Sequence, residues 1–199
     1  MTTVPDLAAL NPGNIFAFIG EVFDKQGANE YLGEPVTIGE HMLQGARLAE
    51  NGGQDEETIV AALLHDVGHF TSAIGTFAMT DEEDRLHEEA GALLLERFFP
   101  RVIVDCVKYH VAAKRYLCAV KPEYFERLSE ASVHSLKLQG GPMSADEVAG
   151  FEALPHHQKI VQVRYLDEAG KDPKMETPDF WYYAPMVQRI VDQHATATA

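Results

Sequence analysis

The sequence predicts an all-α protein, and three observations predict it. Apolar residues recur at helical spacing, as in Ile15, Phe18, Ile19, Val22 and Phe23, because residues three and four apart share one face of a helix. The apolar segments open on capping residues and close on glycine or proline. No two segments alternate in the way that paired strands require.

Residues 1–13 carry Pro5 and Pro12 and read as an arm. Asn14 caps a helix over Ile15–Lys25, which Gly27-Ala28-Asn29 ends. Pro35 keeps the stretch from Glu30 in a loop by restricting its predecessor. Thr37 starts a helix that carries His41 and runs to Asn51, with Gly52-Gly53 as the stop. Asp55 caps Glu56–Leu64, which delivers His65-Asp66. That hairpin lets His41 and His65 face each other.

Phe70 to Thr80 is rich in Gly, Ser and Thr and reads as a lid or loop. Thr80 or Asp81 caps the next helix, which carries His87 one to two turns in and ends near Phe98. Pro100 sits in the first turn of a helix that places His110 and Lys114 four apart on one face. Lys121-Pro122 breaks it and opens a short helix. Ser132–Gln139 is helical and stops at Gly140-Gly141-Pro142. Ser144-x-x-Glu147 has the form of a capping box for a helix to Leu154. A helix over His157–Ala169 puts Arg164 and Asp167 three apart on one face. Phe180-Trp181-Tyr182-Tyr183 leads a last helix to His194, followed by a frayed tail at 195–199.

At 199 residues and 46% hydrophobic, the chain can bury a core, and its length favours a single domain over 1–199. A net charge of −15 argues against nucleic-acid and anionic-membrane surfaces. It leaves room for a small anion held by a few local cations. Cys106 and Cys118, twelve apart, form no CxxC pattern and point to a reducing cytoplasm. Ile15 to Phe23 is too short for a membrane span and contains Glu21.

The chemistry gathers around His65-Asp66. Neighbouring helical residues point about 100° apart. Asp66 can therefore bridge two ions with its two oxygens while His65 reaches one. His41, His65, Asp66, His87, His110 and Asp167 make a set of nitrogen and oxygen donors without thiolate, which suits iron or manganese and less often zinc. One ion takes His41, His65, Asp66 and Asp167; a second takes Asp66, His87 and His110. Open positions remain for oxygen, water or substrate. Taken alone, each histidine is an ordinary packed or capping group and Asp167 an exposed helical acid. The order H…HD…H…H…D is far more specific than its parts. His134, His156, His157 and His194 belong to no such order and read as surface residues.

That order resembles the HD-domain superfamily, an all-helical metal-binding fold whose motif H…HD…D maps onto His41, His65-Asp66 and Asp167. His87 and His110 resemble the extra ligands of its dinuclear branch, which holds phosphohydrolases and mixed-valent diiron oxygenases. Further stretches resemble the organophosphonate-cleaving oxygenases of the PhnZ and TmpB type, with TmpB the closer. They are Tyr31-x-x-Glu34, His69, His110-Val-Ala-Ala-Lys114-Arg115-Tyr116-Leu117, Gln139-Gly-Gly-Pro-Met143 and Arg164-x-x-Asp167. The likeness covers about residues 28–170.

The resemblance implies two irons as Fe(II)/Fe(III), dioxygen as co-substrate, and oxidative cleavage of a C–P bond. The preferred substrate would be (R)-1-hydroxy-2-(trimethylammonio)ethylphosphonate, giving glycine betaine and phosphate. The alternatives are the amino analogue, giving glycine, and a metal-dependent phosphohydrolase that consumes no oxygen. A ligand sensor is a third class. By the same resemblance Lys114, Ser132, Gln139, Arg164 and His69 meet the phosphonate. Tyr31 occupies an iron position until substrate displaces it, and Glu34 reads the ammonium end. A trimethylammonium group has no N–H and is best met by aromatic faces and carboxylates. Tyr31, Phe70, Phe77 and Tyr116 are the candidate walls.

Overall fold

The computed structural model describes residues 7–31, 33–71 and 86–198. Eleven α-helices lie among them, and the only β-type pairing among the described residues is an isolated bridge between Glu30 and Thr37. The helices are α1 (Ile15–Gln26), α2 (Ile38–Asn51), α3 (Glu56–Leu64), α4 (Gly68–Thr71), α5 (His87–Leu95) and α6 (Arg101–Val120). They continue with α7 (Pro122–Phe125), α8 (Glu130–Leu138), α9 (Ala145–Glu152), α10 (His157–Ala169) and α11 (Phe180–Thr198).

Local chemistry sets most of these boundaries. Thr37 and Glu40 cap α2 reciprocally, and Ser144 and Glu147 do the same for α9. Asp55 accepts from the Thr58 backbone N–H at 2.8 Å. Ser129, not Ser132, caps α8, so that helix begins earlier than its apolar pattern suggests. Asn14 flanks α1 without capping it, because its Oδ1 accepts from the Asn11 N–H instead, at 2.7 Å.

Other boundaries differ from the sequence expectation. His87 is the first residue of α5 rather than one to two turns inside it. Leu86 before it is left-handed, with φ 49°, and that geometry interrupts a right-handed helix. The proposed caps Thr80 and Asp81, and the loop over 72–80, lie outside the described residues. Pro100 is the residue before α6, not part of its first turn. The tail is helical through Thr198, where Thr196 and Thr198 bond back to the carbonyls of Asp192 and His194.

Helix α3 is the centre: every residue from Thr58 to Leu64 is buried. It pairs with α2, and α6, α10 and α11 pack around it. One apolar cluster runs from Leu10 to Val191 through Met42, Leu63, Leu95, Ile103 and Phe180. His156 is not a surface bystander, since it meets the buried Asp105 at 2.8 Å and ties the start of α10 to α6.

The seam between α4 and α5 is the tightest in the site region. A Cβ on Gly68 would stand 1.8 Å from the His87 carbonyl oxygen and 2.7 Å from the Gly91 nitrogen. Both are backbone atoms, so the seam must open to admit any side chain. We expect Gly68→Ala to cost about 3 kcal/mol and to move His87 off Asp66. Thermal unfolding and metal content of the purified variant check this; an unchanged melting temperature with full metal would contradict it.

Candidate functional site

Five elements deliver the donors. His41 comes from the first turn of α2, His65 and Asp66 from the end of α3, and His87 from the start of α5. His110 comes from the middle of α6 and Asp167 from the last turn of α10. All six are buried. His65 follows a run with no polar side chain after Thr58, so α3 carries an apolar body into the core and presents its polar end there.

Asp66 divides its oxygens. Oδ2 faces His41 Nε2 at 3.6 Å and His65 Nε2 at 3.5 Å. Oδ1 faces the Nε2 atoms of His87 and His110, each at 3.3 Å. Asp167 Oδ1 joins the first group, 3.3 Å from His41 Nε2.

Their hydrogen bonding fits a metal. His41 Nδ1 lies 2.9 Å from the Gly170 carbonyl, His65 Nδ1 2.8 Å from that of Ala62, and His110 Nδ1 2.7 Å from that of Val107. A carbonyl can only accept, so Nδ1 carries the proton and Nε2 keeps a lone pair. Yet His41 Nε2 and His65 Nε2 are 2.9 Å apart. Two lone pairs at that distance repel unless a proton or a metal ion sits between them. Asp66 Oδ2 and Asp167 Oδ1 are buried and accept no hydrogen bond, which is costly for a carboxylate without a cation.

The electrostatics agree. Burial pushes the Asp66 carboxyl up, but His65 and His69 outweigh it and hold the group well below the ordinary carboxylate range. Burial also works against ionised Asp167, and Arg164 reverses it. Burial pushes His65 down, while Asp66 and Asp167 bring it up to about 9. The cluster favours positive charge at this point.

One cavity joins four of these donors, Asp66, His87, His110 and Asp167, to seven residues expected to meet substrate: Tyr31, Glu34, His69, Lys114, Ser132, Gln139 and Arg164. The Tyr31 ring stacks on His41, with centroids 4.3 Å apart. Its hydroxyl is held well above the usual phenol range by burial and then by Asp66 and Asp167. His69 stacks on His87 at 4.1 Å, and its Nε2 is 3.8 Å from Asp66 Oδ1. Asp66, His69 and His87 therefore form a second potential ligand group, besides His41, His65 and Asp66. Lys114 Nζ donates to Ser135 Oγ at 2.9 Å. Arg164 pairs with Asp167 and Glu168 and donates from Nε to the Tyr124 hydroxyl at 2.6 Å.

The expected walls fare unevenly. Phe70 packs on Phe23 in the core, and Tyr116 stacks on Phe151 while its hydroxyl donates to Glu152. Both are drawn away by apolar partners on neighbouring helices. Phe77 lies outside the described residues. Sequence reasoning missed Ser135, Glu168 and Tyr124. Two carried a signal: Ser135 is three residues after Ser132, and Glu168 four after Arg164. Tyr124 carried none.

A model of the HD domain matches residues 38–169, which span all six candidate donors described above. The chain belongs to the HD domain family. Among relatives of this HD-domain protein is the [1-hydroxy-2-(trimethylamino)ethyl]phosphonate dioxygenase (glycine-betaine-forming) of Leisingera caerulea. The two are 69% identical over 193 residues, 97% of this chain and 98% of the relative. The hydroxymethylphosphonate dioxygenase of Gimesia maris is 38% identical over 190 residues, 91% of this chain and 90% of the relative. An uncharacterised protein of Acanthamoeba polyphaga mimivirus is 35% identical over 156 residues, 75% of this chain and 69% of the relative. Among the described residues, no helix is long and apolar enough to cross a membrane.

Lys114 is the site's stored tension. Burial, and then the Arg164 guanidinium, push it from its ordinary 10.5 down to about 7. Between those values the unfolded chain holds a proton that the folded chain lacks. This group therefore makes folding less favourable as pH falls from about 10.5 to about 7. We expect Lys114→Met to raise the melting temperature of metal-free protein at pH 7. The gain should shrink as pH rises through that window. A variant that melts lower than wild type at pH 7 would contradict this.

Proposed function

We propose that the protein is an iron-dependent oxygenase that oxidatively cleaves the C–P bond of a 1-hydroxy-2-ammonioethylphosphonate. The preferred substrate is (R)-1-hydroxy-2-(trimethylammonio)ethylphosphonate. The observation that carries this reading is a single cavity in which Lys114 and Arg164 stand beside the His/Asp cluster together with Glu34 and Tyr31. Cations suit a phosphonate dianion, and a carboxylate with an aromatic face suits a quaternary ammonium. The glycine-betaine-forming dioxygenase of Leisingera caerulea supports the same choice, and the hydroxymethylphosphonate dioxygenase of Gimesia maris supports the reaction class.

The balance is simple. Substrate and O2 give glycine betaine, HPO4(2−) and one proton. The C–P bond and the C1–H bond break, and dioxygen takes four electrons. By atom count one new oxygen enters the carboxylate and one enters the phosphate. Two irons, as Fe(II)/Fe(III), would be held by His41, His65, Asp66, His87, His110 and Asp167 and would supply the activation of dioxygen. The carboxylates favour the higher oxidation state, and nitrogen ligands keep the lower one accessible.

The protein's own groups do the rest. Lys114 takes up a proton as the dianion arrives and becomes a full counter-charge. Arg164 is already held by Asp167 and Glu168, so it presents the phosphonate with a preset direction. Ser132 and Gln139 add neutral donors. His69 contacts the substrate from beside His87. Tyr31, stacked on His41, would shield the metal site until substrate binds, and Glu34 reads the ammonium end. This couples oxygen activation to the correct ligand. We read 1–199 as one domain, because one apolar cluster runs almost its full length, and place it in the cytoplasm, in keeping with its two free cysteines.

The deciding assay measures oxygen uptake and phosphate release together on iron-loaded, partly reduced protein. We expect one phosphate per O2 with the trimethylammonio compound and little with the amino one. The reverse preference would reassign the substrate; phosphate release without oxygen would reassign the enzyme to the hydrolases.

Two variant sets follow from the residue roles. His110→Ala should lose one of two irons, whereas His69→Ala should keep both; elemental analysis separates them, and loss of iron from His69→Ala would make His69 a ligand. Tyr31→Phe and Glu34→Gln should relax the choice between the two ammonium substrates by about tenfold, read as the ratio of kcat/KM values. An unchanged ratio would remove the gate.

A further inference from the structure

The segment that follows α10 lies beyond the matched HD region, yet it is fastened to the site. Gly170 accepts from the metal-group histidine His41 at 2.9 Å. Asp172 exchanges two hydrogen bonds with the Gln44 side chain, at 2.8 and 3.0 Å. Lys171 is held between these two anchors. Its side chain is only 11% exposed, an unusual burial for a lysine on an irregular segment.

Its ammonium meets three groups. It is 3.1 Å from Glu34 Oε1, 3.0 Å from Ser132 Oγ and 3.3 Å from Glu168 Oε1. Two of these, Glu34 and Ser132, line the cavity from separate parts of the chain. Ser129 closes the circuit, since its hydroxyl donates to the same Glu34 oxygen at 2.5 Å and accepts from the Ser132 backbone N–H at 3.0 Å. Glu168, at the third contact, is the partner of Arg164.

We infer that Lys171 is a positioning residue that sets Glu34 and Ser132 in one frame and so couples recognition of the two ends of the substrate. The inference rests on the substrate reading above. Its chemistry follows from donor counting. An ammonium has three N–H donors and no acceptor. Ser132 Oγ must therefore accept from Lys171, which leaves the hydroxyl proton to be donated elsewhere, toward an anionic phosphonate. Glu34 Oε1 faces Lys171 and accepts from Ser129, so the carboxylate is held in rotation. Lys171 also balances the Glu34 charge until a substrate ammonium arrives. Tilting either end then disturbs the other through one cation.

The test is a double-mutant cycle on iron-loaded protein without oxygen, with binding of the trimethylammonio compound read by calorimetry. We expect Lys171→Met to weaken binding about tenfold and Lys171→Arg to recover most of it. In a Glu34→Gln background, Lys171→Met should cost less than about threefold, because the partner it positions is already altered. Should Lys171→Met not fold, Lys171→Gln takes its place in the cycle. Equal binding by wild type and variant, or equal costs in both backgrounds, would overturn the inference alone. Wild type that neither binds nor turns over the compound would overturn the substrate reading and this inference with it.

Discussion

A buried carboxylate without a hydrogen-bond donor on Oδ2 stands at the centre of this protein. Asp66 lies among five imidazoles and is 2% exposed. In an apolar core such a group is strongly disfavoured, and three of the surrounding histidines already spend Nδ1 on backbone carbonyls. What remains is a set of lone pairs and carboxylate oxygens aimed at common points. Bound cations satisfy that arrangement. The rest of the fold serves to hold it: the apolar body of α3 drives Asp66 inward, and the Gly68 seam brings α5 against it.

The polar layer behind the donors follows the same logic. Asp167 is held ionised by Arg164, and Arg164 is shared with Glu168 and Tyr124. Glu168 passes the contact on to Lys171, which reaches Ser132 and Glu34. Each member is satisfied by the next, so charges that would be costly singly are tolerated as a network. That network makes a cavity with fixed directions inside a chain of net charge −15. A small anion meets local cations there that outweigh the distant negative field.

Much of the local structure was legible. The helix start at Thr37, the capping box at Ser144 and the Asp55 cap are all found where the sequence puts them, because a cap depends on residues three apart. Errors arose where a competing partner or an unusual backbone angle intervenes. Asn14 is taken by Asn11, His87 begins α5 after a left-handed residue, and Phe70 turns toward Phe23. Aromatic residues offered as cavity walls went to the core because burial against another ring satisfies them equally well.

Residue type and order singled out six candidate metal donors, and the family resemblance added the seven candidate substrate residues. Sequence also sufficed to propose Asp66 as the shared ligand, because only a carboxylate has two oxygens to share. Only the tertiary structure decided that one Asp66 oxygen faces each histidine pair, that Tyr31 lies on His41, and that Lys171 joins Glu34 to Ser132. Those contacts link residues far apart in the chain, and their geometry is set by how α2, α3, α6 and α10 pack. No local pattern encodes such distances; they exist only once the core has closed.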